Sequence, residues 1–397
     1  MEYPLLSTGV MTAAQRITLT AVAAFAAGCG ELTSGASELA SGAATCNSDT
    51  GLPEPLPVCS PDDPCDRLVA IEPDGVATRP TELPRCRTGL LSDRPFYSDV
   101  GPRSRAGIDG TTRYWCEYRP LAAAWAPRPL VVFLHGAYAS ADNLYNATSL
   151  RTKAISYPLR VSRPGFILVS VQGRNLHWPT LDDRDGAHHD NFFRDLGSPS
   201  ANPDVANVDA IIDGLVADGV VDTDRIYIAG WSNGGFFAQL YGIARHQRPT
   251  PGGNRIAAVF AYTAADPFNN AIEGLEPSCQ LNPYPTSPVP VHLISRSCDL
   301  IACDRDQADH LADRGMTIAP GAIVEPWFDA LRSEVGAAAS WTRVDGAGNR
   351  VGRCRAPGFC PLAAASLNHI RWPDGVDDRS GVDYEHEILS FFRANPL

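Results

Sequence analysis

Continuous apolar runs alternate with longer amphipathic stretches from Thr111 onward, and this alternation limits the possible folds most strongly. Segments 130–134 and 257–262 contain no polar residue except a tyrosine hydroxyl. Strands that are buried on both faces of a parallel sheet have such runs, whereas strands with one solvated face alternate apolar and polar residues. Strands that alternate with helices predict crossover connections. We therefore predict an α/β fold with a mostly parallel central sheet and helices on both faces, over residues 111–397.

The apolar pattern predicts seven strands and four helices in this domain. The predicted strands are 112–118, 130–134, 166–171, 225–229, 257–262, 289–294 and 362–367, and the predicted helices are 205–217, 235–246, 323–335 and 385–393. The stretches between them are rich in Gly, Pro, Asp and Asn, which is typical of loops.

The most specific local signal is the hexapeptide GWSNGG at 230–235, between a predicted strand and a predicted helix. In this strand–turn–helix context, G-x-S-x-G places a serine on a tight turn at the top of an α/β-hydrolase sheet. The flanking positions must lack bulky side chains, and Gly230 and Gly234 satisfy that demand. The helix N-terminus adds positive potential for an anion that forms at the serine. We predict Ser232 as the nucleophile; the alternative is a serine that only caps the helix.

Acyl transfer also needs two backbone N–H groups that point at the developing oxyanion. One is predicted from Asn233, the residue after the nucleophile. The other is predicted from Ala137, in the loop that follows strand 130–134. His135 lies in the same loop but precedes the serine, whereas this fold orders its triad as serine, acid and histidine. We therefore predict that His135 braces the loop by hydrogen bonding.

The acid of the triad is expected at the carboxyl end of a later strand. Asp299 follows strand 289–294 and is our candidate. Asp304 and Asp306 are close neighbours and remain alternatives. A solvated loop carboxylate without a catalytic role is the other interpretation of Asp299.

The general base is expected after the last strand, where His369 follows segment 362–367. His386 lies on the final predicted helix between two glutamates, which indicates a surface position, and His310 follows the acid too closely. A neutral His369 would accept the proton of Ser232, whose free hydroxyl is a weak nucleophile. Asp299 would hold the imidazole in the required tautomer.

This chemistry requires no metal and no cofactor. His188, His189 and Asp190 could be considered a metal site, but no third ligand occurs at helical spacing. We interpret these residues as a polar loop over the cleft. The net charge of −12 argues against a nucleic-acid partner, because such a partner requires a basic surface.

The N-terminus resembles an export signal. Arg16 precedes an apolar run at 17–27 that is too short to span a bilayer as a helix, which takes about 20 apolar residues. Cys29 follows small residues, as in a bacterial lipobox, so we predict lipidation of Cys29; ordinary secretion is the alternative. We expect a signal peptide at 1–28, a flexible tether at 29–57 and an irregular, cysteine-rich extension at 58–110.

The cysteine count agrees with export. Without Cys29, ten of the 11 cysteines remain, an even number that is consistent with disulfides in an oxidising compartment. Their spacing does not match paired C-x-x-C zinc ligands. The connectivity stays open, but three close pairs are the simplest loops to close: Cys59 with Cys65, Cys298 with Cys303, and Cys354 with Cys360.

The residues that carry the predicted chemistry also support a family resemblance. They are LHG at 134–136, DRIY at 224–227 before GWSNGG, and His369 followed by Trp372 and Pro373. The chain over 111–397 resembles the secreted polyhydroxybutyrate depolymerase and feruloyl esterase group of the α/β hydrolases, often bacterial lipoproteins. The resemblance implies ester hydrolysis. The chain departs from the group in the loop after Gly136, at the end of the acid strand, and in one extra residue after His369.

Four aromatic residues fall in loops at the expected ligand-binding edge of the sheet. Tyr138, Trp178, Trp231 and Trp372 would suit a phenolic acyl group, a sugar face or a hydrophobic polyester, although we expect at least one to face the core. Two other functions remain open: a serine peptidase of the prolyl-oligopeptidase type, and a catalytically inactive, lipid-anchored binding protein.

Overall fold

The computed structural model describes most of the predicted catalytic domain. The described residues are 80–86, 98–177, 185–191, 199–246, 255–267, 287–296, 323–344, 369–374 and 382–397, together with positions 299, 305 and 309. Several predictions lie outside these residues: the signal peptide, the lipidated Cys29, the tether, strand 362–367, Trp178, and the cysteines at 59, 65, 298, 303, 354 and 360.

The described strands are β1 (Ser98–Ala106), β2 (Thr112–Arg119), β3 (Arg128–Leu134), β4 (Ile167–Val171), β5 (Arg174–His177), β6 (Asp185–His188), β7 (Val221–Trp231), β8 (Ala258–Tyr262), β9 (Val291–Arg296) and β10 (Ala339–Val344). Eight of them form one sheet, in the order β1-β2-β4-β3-β7-β8-β9-β10, and β5 and β6 form a separate two-stranded sheet. All neighbours from β4 to β10 in that order are parallel. The pairs β1–β2 and β2–β4 are antiparallel.

Helices cover both faces of the sheet. One face packs against α3 (Pro203–Ala217), α4 (Asn233–His246) and α5 (Val324–Val335). The other face packs against α1 (Asn143–Asn146), α2 (Leu150–Lys153) and α6 (Tyr384–Ala394). This architecture confirms the predicted α/β-hydrolase fold. Within the described chain, no helix combines the length and the apolar character that crossing a bilayer requires.

The two-sided burial explains why the central strands are continuously apolar. Successive side chains of a strand point to opposite faces of the sheet. In β3, Leu130 and Val132 belong to the core beneath α3 and α4. Val131 and Phe133 belong to the core on the opposite face. No position of the strand can therefore be polar without a buried partner.

The domain begins earlier than the sequence predicted. β1 (Ser98–Ala106) lies within the segment that we expected to be an irregular extension, yet it pairs with β2 along its length. Its sequence, SDVGPRSRA, has no apolar alternation. An edge strand needs little apolar surface, because backbone hydrogen bonds to a single neighbour hold it in place. The boundary at 111 was therefore wrong, and residues 98–110 belong to the sheet domain.

A disulfide attaches the preceding segment to the sheet. Cys86 pairs with Cys116 of β2, across a sequence separation of 30. The backbone N–H groups of Arg85 and Cys86 both donate to the Asp142 carboxylate. Sequence reasoning left this pairing open, because proximity in the fold rather than proximity in the chain determines it.

Candidate active site

Ser232 lies on a strained turn between β7 and α4. Its φ of 54° is in the left-handed region, which non-glycine residues rarely occupy outside functional sites. Backbone hydrogen bonds hold this conformation: Ser232 N donates to Tyr262 O at 2.9 Å, and Gly235 N donates to Ser232 O at 2.7 Å. A Cβ atom at Gly230 would overlap the carbonyl of Gly234. The small residues of the motif are thus required by the close approach of the backbone.

The structure brings Ser232, His369 and Asp299 into one hydrogen-bonded chain. His369 Nε2 lies 2.8 Å from Ser232 Oγ. His369 Nδ1 lies 3.0 Å and 3.1 Å from the two carboxylate oxygens of Asp299. Because a carboxylate only accepts, Nδ1 carries the proton and donates it to Asp299. Nε2 is then free to accept the Ser232 hydroxyl proton.

The competing acids and bases are placed differently or lie outside the described residues. His386 contacts the ring of Tyr157 at 5.6 Å, on α6. Asp304, Asp306 and His310 are not among the described positions. Of the candidates that the structure describes, His369 and Asp299 are the pair that reaches the serine.

Two side chains hold the loop that carries His369. Trp231 Nε1 donates to His369 O at 2.9 Å. The Tyr262 hydroxyl donates to Arg371 O, and it also accepts from Arg296 Nε at the end of the acid strand. Tyr262 therefore connects the segment before the acid with the segment after the base. Two carbonyls of this loop, His369 O and Arg371 O, are thus held by side chains at the ends of β7 and β8.

The aromatic residues predicted to line the substrate site require a correction. Trp372 has no exposed surface, and Trp231 is only 6% exposed. Trp372 packs edge-on against Phe133 and Tyr262, and its Nε1 donates to Glu385 at 2.7 Å. Both indoles face the core rather than a cleft, because their positions place them beneath the histidine loop. Tyr138 retains an exposed fraction, whereas Trp178 lies outside the described residues.

Sequence reasoning missed the charged support under Trp372. Glu385 is fully buried and pairs with Lys153 Nζ at 2.6 Å, and Asp383 pairs with the same amine. Burial raises the pKa of Glu385, and the interaction with Lys153 opposes that increase. Burial alone would lower the pKa of Lys153, but Glu385 and Asp383 together outweigh burial and raise this pKa. Lys153 is the only lysine in the sequence, which is the one signal that could have indicated a specific role.

The two predicted oxyanion donors flank Ser232. Asn233 is the first residue of α4, and the first N–H groups of a helix have no intrahelical acceptor. Ala137 follows Gly136, where an added Cβ atom would come within 3.3 Å of Ser232 Cβ. The loop after β3 therefore approaches the nucleophile directly. Both N–H groups belong to backbone segments in contact with the serine.

His135 braces this loop, as the sequence predicted. Its Nδ1 lies 2.7 Å from Gly136 O, and its Nε2 accepts from Gly173 N at 2.9 Å. These two partners require a neutral ring with the proton on Nδ1. Burial lowers the pKa of His135 to about 4, so this tautomer persists at neutral pH.

His188, His189 and Asp190 do not face an open cleft. All three are buried, with His188 Nδ1 3.0 Å from Gly186 O and Asp190 paired with Arg174 at 3.0 Å. Throughout the part of the chain that the structure describes, no group of three or more His, Cys, Asp or Glu side chains is arranged to hold a metal ion.

Comparisons with known proteins find low similarity to solved esterases. A thermostable esterase matches at 16% identity and a TM-score of 0.40, over 76% of this chain and 64% of that chain. An acetyl xylan esterase from Aspergillus awamori matches at 12% identity and 0.34, over 47% and 68%. A Bacillus cereus carboxylesterase matches at 14% identity and 0.33, over 59% and 84%. No protein-family model and no curated protein matches the chain.

Proposed function

We propose that this chain is a serine hydrolase that cleaves carboxylic esters through an acyl-enzyme. The observation that carries the proposal is the continuous hydrogen-bonded chain from Ser232 through His369 to Asp299. This series of hydrogen bonds ends at a serine in a strained turn, next to two backbone N–H donors. Strain is kept at such a position only when the surrounding structure imposes it, and functional sites are where it accumulates.

The arrangement supports a two-step reaction. His369 Nε2 accepts the hydroxyl proton as Ser232 Oγ attacks the ester carbonyl, and Asp299 stabilises the imidazolium that forms. The N–H groups of Ala137 and Asn233 donate to the oxyanion. The proton on Nε2 then passes to the departing alkoxide, which leaves as an alcohol. Water attacks the acyl-enzyme in the same way, with His369 as base, and releases the carboxylic acid.

The substrate class and the location of the protein are part of the same proposal. The resemblance to polyhydroxybutyrate depolymerases and feruloyl esterases supports oligoesters of hydroxy acids, or feruloyl and acetyl esters. The disulfide between Cys86 and Cys116 supports an oxidising compartment, because such bonds are rare in the cytosol. We propose export, with Cys29 as the lipid anchor.

A fluorophosphonate probe and a substrate panel test the function. We expect the probe to label the wild type at Ser232, and we expect p-nitrophenyl esters rather than peptides to be cleaved. Ser232→Ala should abolish labelling, and Ser232→Ala and His369→Ala should each lower kcat by roughly 10⁴-fold or more, because triad members act as a unit. Cleavage of peptides but not esters would favour a peptidase, and a wild type without labelling would overturn the proposal.

A further inference from the structure

We propose that the short segment Gly186–Asn191 sets the geometry of the oxyanion hole, with the Asn233 side chain as the positioning group. This inference rests on the proposed function, because it assigns a purpose to contacts around the same two donors. The catalytic group at position 233 is the backbone N–H. Its side chain points away from the reaction and binds the supporting segment.

The amide of Asn233 is held by three hydrogen bonds. Asn233 Oδ1 accepts from His189 N at 2.7 Å, and Asn233 Nδ2 donates to His189 O at 3.0 Å. The same nitrogen donates to Asn191 Oδ1 at 3.1 Å. The first two bonds engage both the N–H and the C=O group of His189, so they fix the orientation of the Asn233 amide as well as its distance from this residue. Asn233 is buried, so water does not compete for these bonds.

The same segment contacts the second donor loop. Ala187 O accepts from Tyr138 N at 2.7 Å, one residue after the predicted donor Ala137. The ring of Tyr138 lies against Gly186, where any added Cβ atom would overlap it. Tyr138 has a φ of 58°, another left-handed conformation that its surroundings must impose. One segment of six residues thus contacts both backbone segments that carry the predicted donors, the start of α4 and the loop after β3.

Charged groups anchor the segment from behind. Asp190 pairs with Arg174 Nη2 at 3.0 Å, and its backbone N–H donates to Asp204 Oδ2 at 2.6 Å. Asn202, which caps α3, donates to Asp190 O at 2.8 Å. Arg113 pairs with Asp204 in turn. All of these side chains are buried, so the anchor cannot relax into solvent.

Asp204, the carboxylate at the centre of this anchor, keeps its charge near neutral pH. Burial by itself would raise the pKa of Asp204, but Arg113 and Arg174 outweigh burial and hold the pKa below its usual value. The two buried cations, Arg113 and Arg174, therefore face an Asp204 carboxylate that stays ionised. Separating the partners of such a buried ion pair is energetically unfavourable. The segment is therefore held in this position.

The energetic consequence is specific to the transition state. An oxyanion donor contributes only when charge develops on the carbonyl oxygen, so a displaced donor lowers kcat and leaves substrate binding unchanged. Complete loss of one donor typically costs about 10²–10³-fold in kcat. Loosening the side chain that positions a donor should cost less, about 10–100-fold.

Asn233→Ala tests the inference, because alanine retains the backbone N–H and removes only the positioning amide. Gln239→Ala is the matched control: Gln239 is a buried amide on the same helix, and its partners Gly235 O, Ala265 O and Trp327 Nε1 lie outside the segment Gly186–Asn191. For each variant, kcat and KM are measured on a p-nitrophenyl ester, together with the melting temperature. The inhibition constant of a trifluoromethyl ketone is also measured, since its adduct with Ser232 Oγ carries an oxyanion.

We expect Asn233→Ala to lower kcat about 10–100-fold with KM nearly unchanged, and to raise the inhibition constant of the ketone by a similar factor. Gln239→Ala should lower the melting temperature but retain kcat. If Asn233→Ala does not fold, Asn191→Ala removes one of the three bonds and should show the same pattern, reduced to a few-fold effect.

Three outcomes would overturn the inference. One is an Asn233→Ala enzyme that retains kcat, and the second is a lower kcat without weaker binding of the ketone. The third is an equal loss of kcat in Gln239→Ala, which would indicate a general loss of structure. A wild type that hydrolyses no ester would instead contradict the proposed function, so the two failures are distinguishable.

Discussion

Three buried histidines below the oxyanion loop predict a steep loss of stability in mild acid. Burial lowers the pKa of His135 and of His188 from 6.5 to about 4. Burial also lowers the pKa of His189 well below 6.5. As the pH falls below 6.5, the unfolded chain takes up protons that the folded chain does not yet bind. Stability therefore decreases as the pH falls from 6.5 toward 4.

The magnitude follows from the size of the shifts. Each pH unit within this window costs about 1.4 kcal/mol for each histidine. At about pH 5, the lowered pKa values of His135 and His188 should each have reduced the free energy of unfolding by about 2 kcal/mol, or by about 4 kcal/mol together. His189 adds to the loss in the same direction. A total near 4 kcal/mol is a large share of the roughly 5–15 kcal/mol that stabilises a typical domain.

Urea unfolding of the wild type and His188→Asn measures this effect at about pH 7.5 and about pH 5. Asparagine removes the titrating ring and retains a donor near Gly186 O, the acceptor at 3.0 Å from His188 Nδ1. Between about pH 7.5 and about pH 5, the free energy of unfolding should decrease in both proteins. We expect this decrease to be about 2 kcal/mol smaller in His188→Asn than in the wild type. A difference between the two proteins that does not change with pH would refute the reasoning.

Two further predictions concern the supports of the site and of the domain. Tyr262→Phe removes the donor to Arg371 O and the acceptor of Arg296 Nε. We expect it to lower kcat by roughly tenfold and to lower the melting temperature by some degrees, since an unsatisfied buried polar group costs about 1–3 kcal/mol. Steady-state kinetics on an ester checks this, and unchanged kcat would contradict it. Replacing Cys86 and Cys116 with serine should lower the free energy of unfolding by about 3–4 kcal/mol, given the separation of 30 residues. An unchanged urea midpoint would show that the disulfide is dispensable.

Local physics explains which parts of the site could be predicted from sequence. The requirement for small residues around Ser232 acts within one turn of chain, so GWSNGG predicts the position by itself. The order of acid and base follows from the order of the strands, and the structure places Asp299 and His369 beside the serine accordingly. The apolar runs likewise predict the parallel strands β3, β4, β7, β8 and β9, because burial on both faces leaves no polar alternation. They do not predict the parallel edge strand β10, which is only partly buried.

Contacts between distant segments explain the rest. Asn233 and His189 are 44 residues apart, and Lys153 and Glu385 are 232 apart, so no local pattern relates them. Trp372 is a second example. Its place in the histidine loop could be predicted from the sequence, but the orientation of its indole depends on residues distant in sequence, such as Phe133, that pack beneath the loop.

The sequence by itself determined the fold class and the candidate nucleophile, acid and base, because each depends on local backbone geometry or on the order of elements. Only the tertiary structure decided the pairing of Cys86 with Cys116, the inclusion of β1 in the sheet and the supporting role of segment Gly186–Asn191. These features arise when chain segments far apart in sequence bury polar groups against each other, and each group then needs a partner that the fold alone supplies.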